Sequence, residues 1–201
     1  AKLIDKDALK AFKDRALTPN APVTKGTAQN PDIFFQAREA ANVFYDALPD
    51  IVDFYFDKIS ELTGRDYKAF NYYGAPDAEK IIIAMGSVCE TAEETIDHMI
   101  AAGEKVGLVK VHLYRPFSVE RMMKVIPDTV KKIAVLDRTK EPGAPGEPLF
   151  LDVANAFYGS GKSPLIVGGR YGLSSKEVYP NQIIAVFRNL DADKPVKSFT
   201  I

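Results

Sequence analysis

Apolar runs alternate with amphipathic segments through the second part of the chain. Four runs lack the apolar–polar alternation of a half-exposed strand, namely KIIIAM, VGLVKV, KKIAVL and PLIVGG. The segment after the first run repeats apolar residues at helical spacing, as at Val88, Ala92 and Ile96. Buried strands separated by helices are typical of a parallel sheet that is covered on both faces. The pattern therefore predicts an α/β fold over residues 76–201, a three-layer α/β/α sandwich with a mostly parallel sheet.

The first 75 residues follow a helical pattern instead. An amphipathic helix is predicted over residues 3–17, and further helices are predicted to begin at Asp32 and at Pro49. Gly64 is a natural end for the last of them, and residues 64–80 are predicted to be a linker. These helices carry many large apolar side chains and have no sheet of their own to cover. We expect them to pack on the second part or on a domain outside this chain.

The residues that follow the predicted strands form the candidate functional site. The carboxyl ends of parallel strands meet at one edge of the sheet, where open α/β folds bind ligands or partners. Three arginines, one aspartate and two glycine corners are expected to converge at that edge. The candidate residues there are Arg115, Asp137, Arg138, Thr139, Lys140, Gly169 and Arg170.

This arginine-rich edge has two interpretations. A guanidinium group binds carboxylate or phosphate through paired hydrogen bonds, which favours a site for an anion or a docking surface for another domain. In the other interpretation, Asp137 pairs with Arg138 or Arg115 and only ties neighbouring loops together. The residues alone leave both interpretations open.

Two serines are predicted to begin helices. Ser87 with Glu90, and Ser174 with Glu177, match the capping box, in which side chains bond the first amides of a helix. The dinucleotide-binding, P-loop and G-x-S-x-G patterns are absent from the sequence. Cys89 is interpreted as a buried and inert thiol.

Composition and charge exclude several classes of protein. The formal net charge of −1 gives no reason to expect nucleic acid or an anionic membrane surface as a partner. No apolar run approaches the roughly 20 residues that span a bilayer. The charged N-terminal segment is unlike a signal peptide, and one cysteine favours a reducing compartment, so we expect a cytoplasmic location. His98 and His112 lie in different predicted elements, so no metal site is expected. The missing initiator methionine hints at an excised chain.

The segments GTAQNPDIFFQAREA, VKVHLYRPFS, LDRTKEPGAPGEPL and IVGGRYGL, in this order along the chain, resemble consecutive parts of the pyruvate:ferredoxin (flavodoxin) oxidoreductases. The last two of these segments carry the resemblance most specifically. The resemblance implies that residues 1–75 are the tail of a preceding thiamine-enzyme domain. It implies that residues 76–201 are a second domain, similar to the C-terminal domain of transketolase.

The resemblance also implies a function for the parent enzyme. Members of this family are cytoplasmic homodimers that convert pyruvate and coenzyme A to acetyl-CoA and CO₂. They use thiamine diphosphate and Mg²⁺, and iron–sulfur clusters pass the electrons to ferredoxin or flavodoxin. This chain has neither the family's Gly-Asp-Gly thiamine motif nor its cysteine clusters. We therefore assign it no catalytic residue, metal ligand or bound cofactor.

The role implied is that of a structural and interface domain, inactive alone, that contacts other domains of its polypeptide and the homodimer partner. The alternative, drawn from the residues alone, is a free-standing α/β module. Such a module would bind a small anion or nucleotide at the carboxyl edge of its sheet.

Overall fold

The computed structural model describes residues 3–22, 26 and 28–201. The chain divides into two compact units, Ala1–Asn42 and Val43–Ile201. The first unit contains helices α1 (Lys6–Asp14) and α2 (Pro31–Ala40). Because Pro31 is the first residue of α2 and Asn30 precedes it as the N-cap, the prediction that Asp32 caps this helix is wrong.

Helix α3 spans Asn42–Thr63, and nearly all of it belongs to the second unit. Pro49 lies inside α3, so the prediction that a new helix begins there is wrong. A proline removes one intrahelical hydrogen bond, and the helical pattern on both sides continues through it. Gly64 follows the last residue with a φ of +72°, which confirms it as the end of the helix.

The second unit is built on one six-stranded sheet. Its strands are β1 (Phe70–Gly74), β2 (Lys80–Ala84), β3 (Val106–Val111), β4 (Lys132–Asp137), β5 (Leu165–Arg170) and β6 (Ser198–Thr200). They lie in the order β1–β3–β2–β4–β5–β6. Only β1 runs antiparallel to its neighbour, and every other pairing is parallel. The predicted α/β fold with a mostly parallel sheet is confirmed.

Helices cover both faces of this sheet. One face packs on α4 (Val88–Ala101) and α7 (Pro180–Asp191), and the other packs on α5 (Val119–Val125) and α6 (Pro148–Phe157). Successive strand residues point to opposite faces, so in β4 the side chains alternate between the two layers. Ala134 and Leu136 belong to the α4–α7 core, whereas Ile133 and Val135 belong to the α5–α6 core. All four are fully buried, which accounts for the absence of polar alternation in this run.

The predicted linker 64–80 contains strand β1, and that part of the prediction is wrong. Gly74, Pro76 and Asp77 are turn-forming residues and favoured a linker, but residues 70–74 form a short aromatic strand that pairs with β3. The Tyr72 ring lies over Gly107 of β3, and a Cβ at position 107 would meet the end of that ring. The extended tail at the end of the chain forms β6 beside β5.

Candidate functional site

Asp137, the last residue of β4, caps the start of α6. Its side-chain oxygens accept hydrogen bonds from the amides of Leu149 and Phe150 at 2.9 and 3.0 Å. Glu147, the residue at the N-cap position of α6, makes no capping bond of its own. Asp137 is only 4% exposed, and burial raises the pKa of its carboxyl although the two amide bonds act the other way. The expectation that Asp137 pairs with Arg138 or Arg115 is wrong, because these amides are its partners.

Glu147 ties the loop between β4 and α6 to the end of β5. Its carboxylate is 3% exposed and accepts a hydrogen bond from the amide of Glu141 at 2.7 Å. It also lies 3.4 Å from Arg170 Nη1 and 3.8 Å from Lys140 Nζ. The sequence reasoning missed Glu147. The available signal was one acidic residue directly before the proline that begins a helix.

Arg170 joins that loop to the edge strand β6. Besides the contact with Glu147, its guanidinium donates hydrogen bonds to the hydroxyls of Ser198 and Thr200 at 2.9 and 3.1 Å. Asp137 and Arg170 are register partners at the ends of β4 and β5. Arg170 is thus placed by its contacts within the domain.

Arg115 and Arg138 lie at the same edge with different surroundings. Arg115 Nη2 donates to Asp152 of α6 at 2.7 Å, and its guanidinium stacks 3.9 Å from the centre of the Tyr114 ring. Arg138 Nε donates to the carbonyl of Gly172 at 2.9 Å. Thr139 is half-buried and Lys140 is exposed.

The three guanidinium groups do not converge, and that expectation is wrong. Arg115 and Arg170 bind carboxylates on the α6 side of the sheet. Arg138 borders Tyr171, which belongs to the core on the α4–α7 side. The reason is the alternation of strand side chains, which sends Asp137 and Arg138 to opposite layers.

Gly168 and Gly169 serve packing inside β5 and do not form a turn after it, contrary to the prediction. The Phe150 ring covers Gly168 from α6, and a Cβ there would lie 3.0 Å from it. The Phe199 ring covers Gly169 from β6, and a Cβ there would lie 2.5 Å from it. At each glycine the missing Cβ leaves room for an aromatic ring close to the backbone, with the tighter contact at Gly169.

Gly169→Ala is expected to lower the free energy of unfolding by about 2 kcal/mol, because the new methyl group overpacks Phe199 and Leu136. Gly168→Ala is the matched control and should cost less, since its closest contact is longer. Urea unfolding of both variants measures the difference. Equal losses would contradict the packing role of Gly169.

The two predicted capping boxes are wrong. Ser87 has helical backbone angles and makes no capping hydrogen bond. Ser174 lies in a short 3₁₀ turn, Leu173–Ser175, with a left-handed φ of 52°. Helix α7 begins further on, where the Gln182 side chain accepts a hydrogen bond from the Tyr179 amide at 2.9 Å.

Cys89 is buried, and burial raises the pKa of its thiol to about 11. The prediction that Cys89 is buried is confirmed, and its raised pKa supports the prediction that the thiol is unreactive. Within residues 3–22, 26 and 28–201, no three His, Cys, Asp or Glu side chains are grouped so as to hold a metal ion. In the same part of the chain, no helix combines the length and apolar character needed to cross a bilayer.

Helix α3 presents a second candidate surface, the outer stripe, formed by Phe44, Ile51, Tyr55 and Leu62. Their spacing places them on one side of the helix, and their exposure ranges from 45% to 75%. Another side of α3 is held by polar contacts, since Arg121 of α5 donates to Asp53 at 2.7 Å and also to Asp50. The sequence places many large apolar side chains on this helix, and those of the outer stripe are exposed.

The architecture defines a three-layer α/β domain. Residues 78–183 match the family model described as pyruvate:ferredoxin oxidoreductase core domain II. The whole chain is 60% identical to the pyruvate-flavodoxin oxidoreductase of Enterobacter agglomerans and 57% identical to the pyruvate:ferredoxin oxidoreductase of Moorella thermoacetica. The chain belongs to the pyruvate:ferredoxin oxidoreductase family, as its sequence segments indicated.

The chain spans 17% of the length of each of these two relatives. A solved 2-oxoglutarate:ferredoxin oxidoreductase from Magnetococcus marinus, with 2-oxoglutarate, coenzyme A and succinyl-CoA bound, matches 66% of this chain and 21% of its own. That match has a TM-score of 0.47 and 19% sequence identity.

Proposed function

We propose that this chain is a non-catalytic structural and interface domain of a pyruvate:ferredoxin oxidoreductase. The parent enzyme would convert pyruvate, coenzyme A and oxidised ferredoxin or flavodoxin to acetyl-CoA, CO₂ and the reduced carrier. Its partners would be the other domains of the same polypeptide and a second copy of the enzyme in a cytoplasmic homodimer. The assignment of residues 1–75 to the tail of a preceding thiamine-enzyme domain is part of this proposal.

The observation that carries the proposal is the outer stripe of α3. Contiguous exposed apolar side chains on a soluble domain mark a surface that another protein segment covers. The aligned residues make up only 17% of the relatives' length, so we assign the rest of the polypeptide as the part that covers the outer stripe. The polar contacts of Asp50 and Asp53 with Arg121 orient the helix so that the stripe faces outward.

The residues of this chain do not fit the parent enzyme's cofactors. One cysteine cannot supply the four thiolates that an iron–sulfur cluster requires. The described carboxylates and histidines do not form a metal-binding group, and the Gly-Asp-Gly motif is absent from the sequence. Thiamine diphosphate, Mg²⁺ and the clusters would therefore be held by other parts of the parent enzyme.

Polar substitutions in the outer stripe test the proposal. In the full-length enzyme, Ile51→Asp with Tyr55→Asp is expected to lower the free energy of unfolding by about 3 kcal/mol or more, because buried apolar contacts are lost. In the isolated 201-residue chain the same pair should change it by less than about 0.5 kcal/mol, as for other surface positions. Thermal and denaturant unfolding of both proteins measure the contrast.

Asp46→Ala on the exposed surface of the same helix serves as the control, with no expected effect in either protein. A full-length enzyme that tolerates the double substitution as well as the isolated chain does would contradict an interface at this stripe. The isolated chain is also expected to show no pyruvate-dependent reduction of ferredoxin, and measurable turnover would contradict the non-catalytic role.

A further inference from the structure

Two cations at the carboxyl edge lack the carboxylate partners that the neighbouring arginines have. Arg115 pairs with Asp152, and Arg170 pairs with Glu147. Among residues 3–22, 26 and 28–201, no carboxylate lies within 4.0 Å of the Arg138 guanidinium or the Lys176 ammonium group. The charges of Arg138 and Lys176 are therefore available to a ligand.

Arg138 and Lys176 border the same crevice, which has a volume of about 210 Å³. Three segments form its walls: the turn after β2 at Ser87, the segment after β4 at Arg138, and the segment after β5 from Tyr171 to Val178. The crevice thus opens at the carboxyl ends of three parallel strands, on the α4–α7 side of the sheet.

The crevice also lies at a particular place in the strand order of the sheet. From β2 the chain continues to β3 on one side. From β4, the neighbour of β2 on the other side, the chain continues to β5 in the opposite direction. Open α/β sheets bind their ligands outside the carboxyl ends of the strands where the order reverses in this way. The crevice lies at that reversal.

The backbone holds one of the two cations in place. Arg138 Nε donates to the carbonyl of Gly172 at 2.9 Å, and no other hydrogen bond of its guanidinium is present among the described residues. Gly172 has a φ of +63°, and a Cβ at this position would lie 3.2 Å from Arg138 Nε. The glycine therefore allows the side chain to lie against the backbone while its two terminal nitrogens remain available as donors.

We propose that this crevice binds the phosphate group of a small molecule, with Arg138 and Lys176 as its cationic donors. The volume is below the roughly 300–1,000 Å³ of most small-molecule sites, which favours a single oxyanion group over a whole nucleotide. Glu177 also lines the crevice, and its carboxylate accepts a hydrogen bond from the Tyr179 hydroxyl. Two cations against this one carboxylate leave a charge of +1, which attracts a dianion more strongly than a monoanion.

This site is independent of the interface that the proposed function requires. It uses the α4–α7 side of the sheet, and the outer stripe on α3 contributes no residue to it. Binding of phosphate to the isolated chain therefore tests this inference without testing the role in the parent enzyme.

Titration of the 201-residue chain at constant ionic strength provides the experiment. Inorganic phosphate and glycerol phosphate are added separately, and amide ¹H–¹⁵N shifts are followed. Saturable shifts are expected at Ser87, Gly172 and Lys176, and acetate should bind at least about tenfold more weakly than phosphate. Tighter binding of glycerol phosphate identifies an esterified phosphate as the ligand, whereas tighter binding of inorganic phosphate identifies the free ion.

Arg138→Gln and Lys176→Gln are each expected to weaken phosphate binding about tenfold or more, whereas Arg115→Gln should leave it unchanged. Lys176→Gln removes a side chain without partners among the described residues, so it tests binding even if Arg138→Gln disturbs the loop. Shifts that do not saturate, equal binding of acetate, or unchanged affinity in Lys176→Gln would each overturn the proposal.

Discussion

Asp137→Ala is expected to lower the free energy of unfolding by about 3 kcal/mol. The substitution leaves the amides of Leu149 and Phe150 at the start of α6 without an acceptor. Urea unfolding of the 201-residue chain measures the loss. Asp152→Ala is the control on the same helix, and as half of an exposed ion pair it should cost less than about 1 kcal/mol.

The same variant gives a readout in pH. Because the pKa of Asp137 is raised in the folded state above its usual 3.8, the folded protein takes up this proton at a higher pH than the unfolded chain does. The stabilising effect of this proton is fully present below the pKa of Asp137 in the unfolded chain. It is lost as pH rises through the pKa of Asp137 in the folded protein. The stability advantage of the native protein over Asp137→Ala should therefore grow as pH falls from neutral to about 4. A constant or shrinking advantage would contradict the raised pKa.

Glu147→Gln is expected to cost about 2 kcal/mol, because it leaves the Arg170 guanidinium without its carboxylate partner. Arg170 is 17% exposed at its side chain and keeps the hydroxyls of Ser198 and Thr200, so the loss stays below that of a fully buried pair. Glu141→Gln, the same change at an exposed position of the same loop, should be nearly neutral. Equilibrium unfolding of both variants supplies the comparison, and equal values would argue against the role assigned to Glu147.

The sequence was sufficient to predict the layered core, because β2, β4 and the helices around them have strong and regular apolar patterns. Ile82 and Leu136, for example, are fully buried in the positions that the uninterrupted apolar runs required. The pattern failed at β1, where Asn71 and Gly74 are turn-forming residues within an edge strand. Edge strands are short and partly exposed, so their apolar signal is weak.

The position of the candidate residues at the carboxyl edge of the sheet was predicted from the sequence, whereas their contacts were not. The residues after β4 and β5 do lie at one edge, as a parallel sheet requires. The partner of Asp137, however, depends on how β4 and α6 meet in three dimensions, and side-chain charge alone pointed to arginine. Every residue except proline has a backbone amide, so no residue type in the sequence identifies these donors. The capping of α6 by Asp137 could therefore be recognised only from the structure.

The contact between Gly169 and Phe199 constrains how relatives of this chain can diverge. The ring fills the space that a side chain at position 169 would occupy, so the two positions share one fixed volume. During evolution, a larger residue at 169 is compatible with the same sheet only when a smaller one appears at 199. Paired changes at these two positions, which are distant in sequence, are therefore expected among relatives that keep the same sheet.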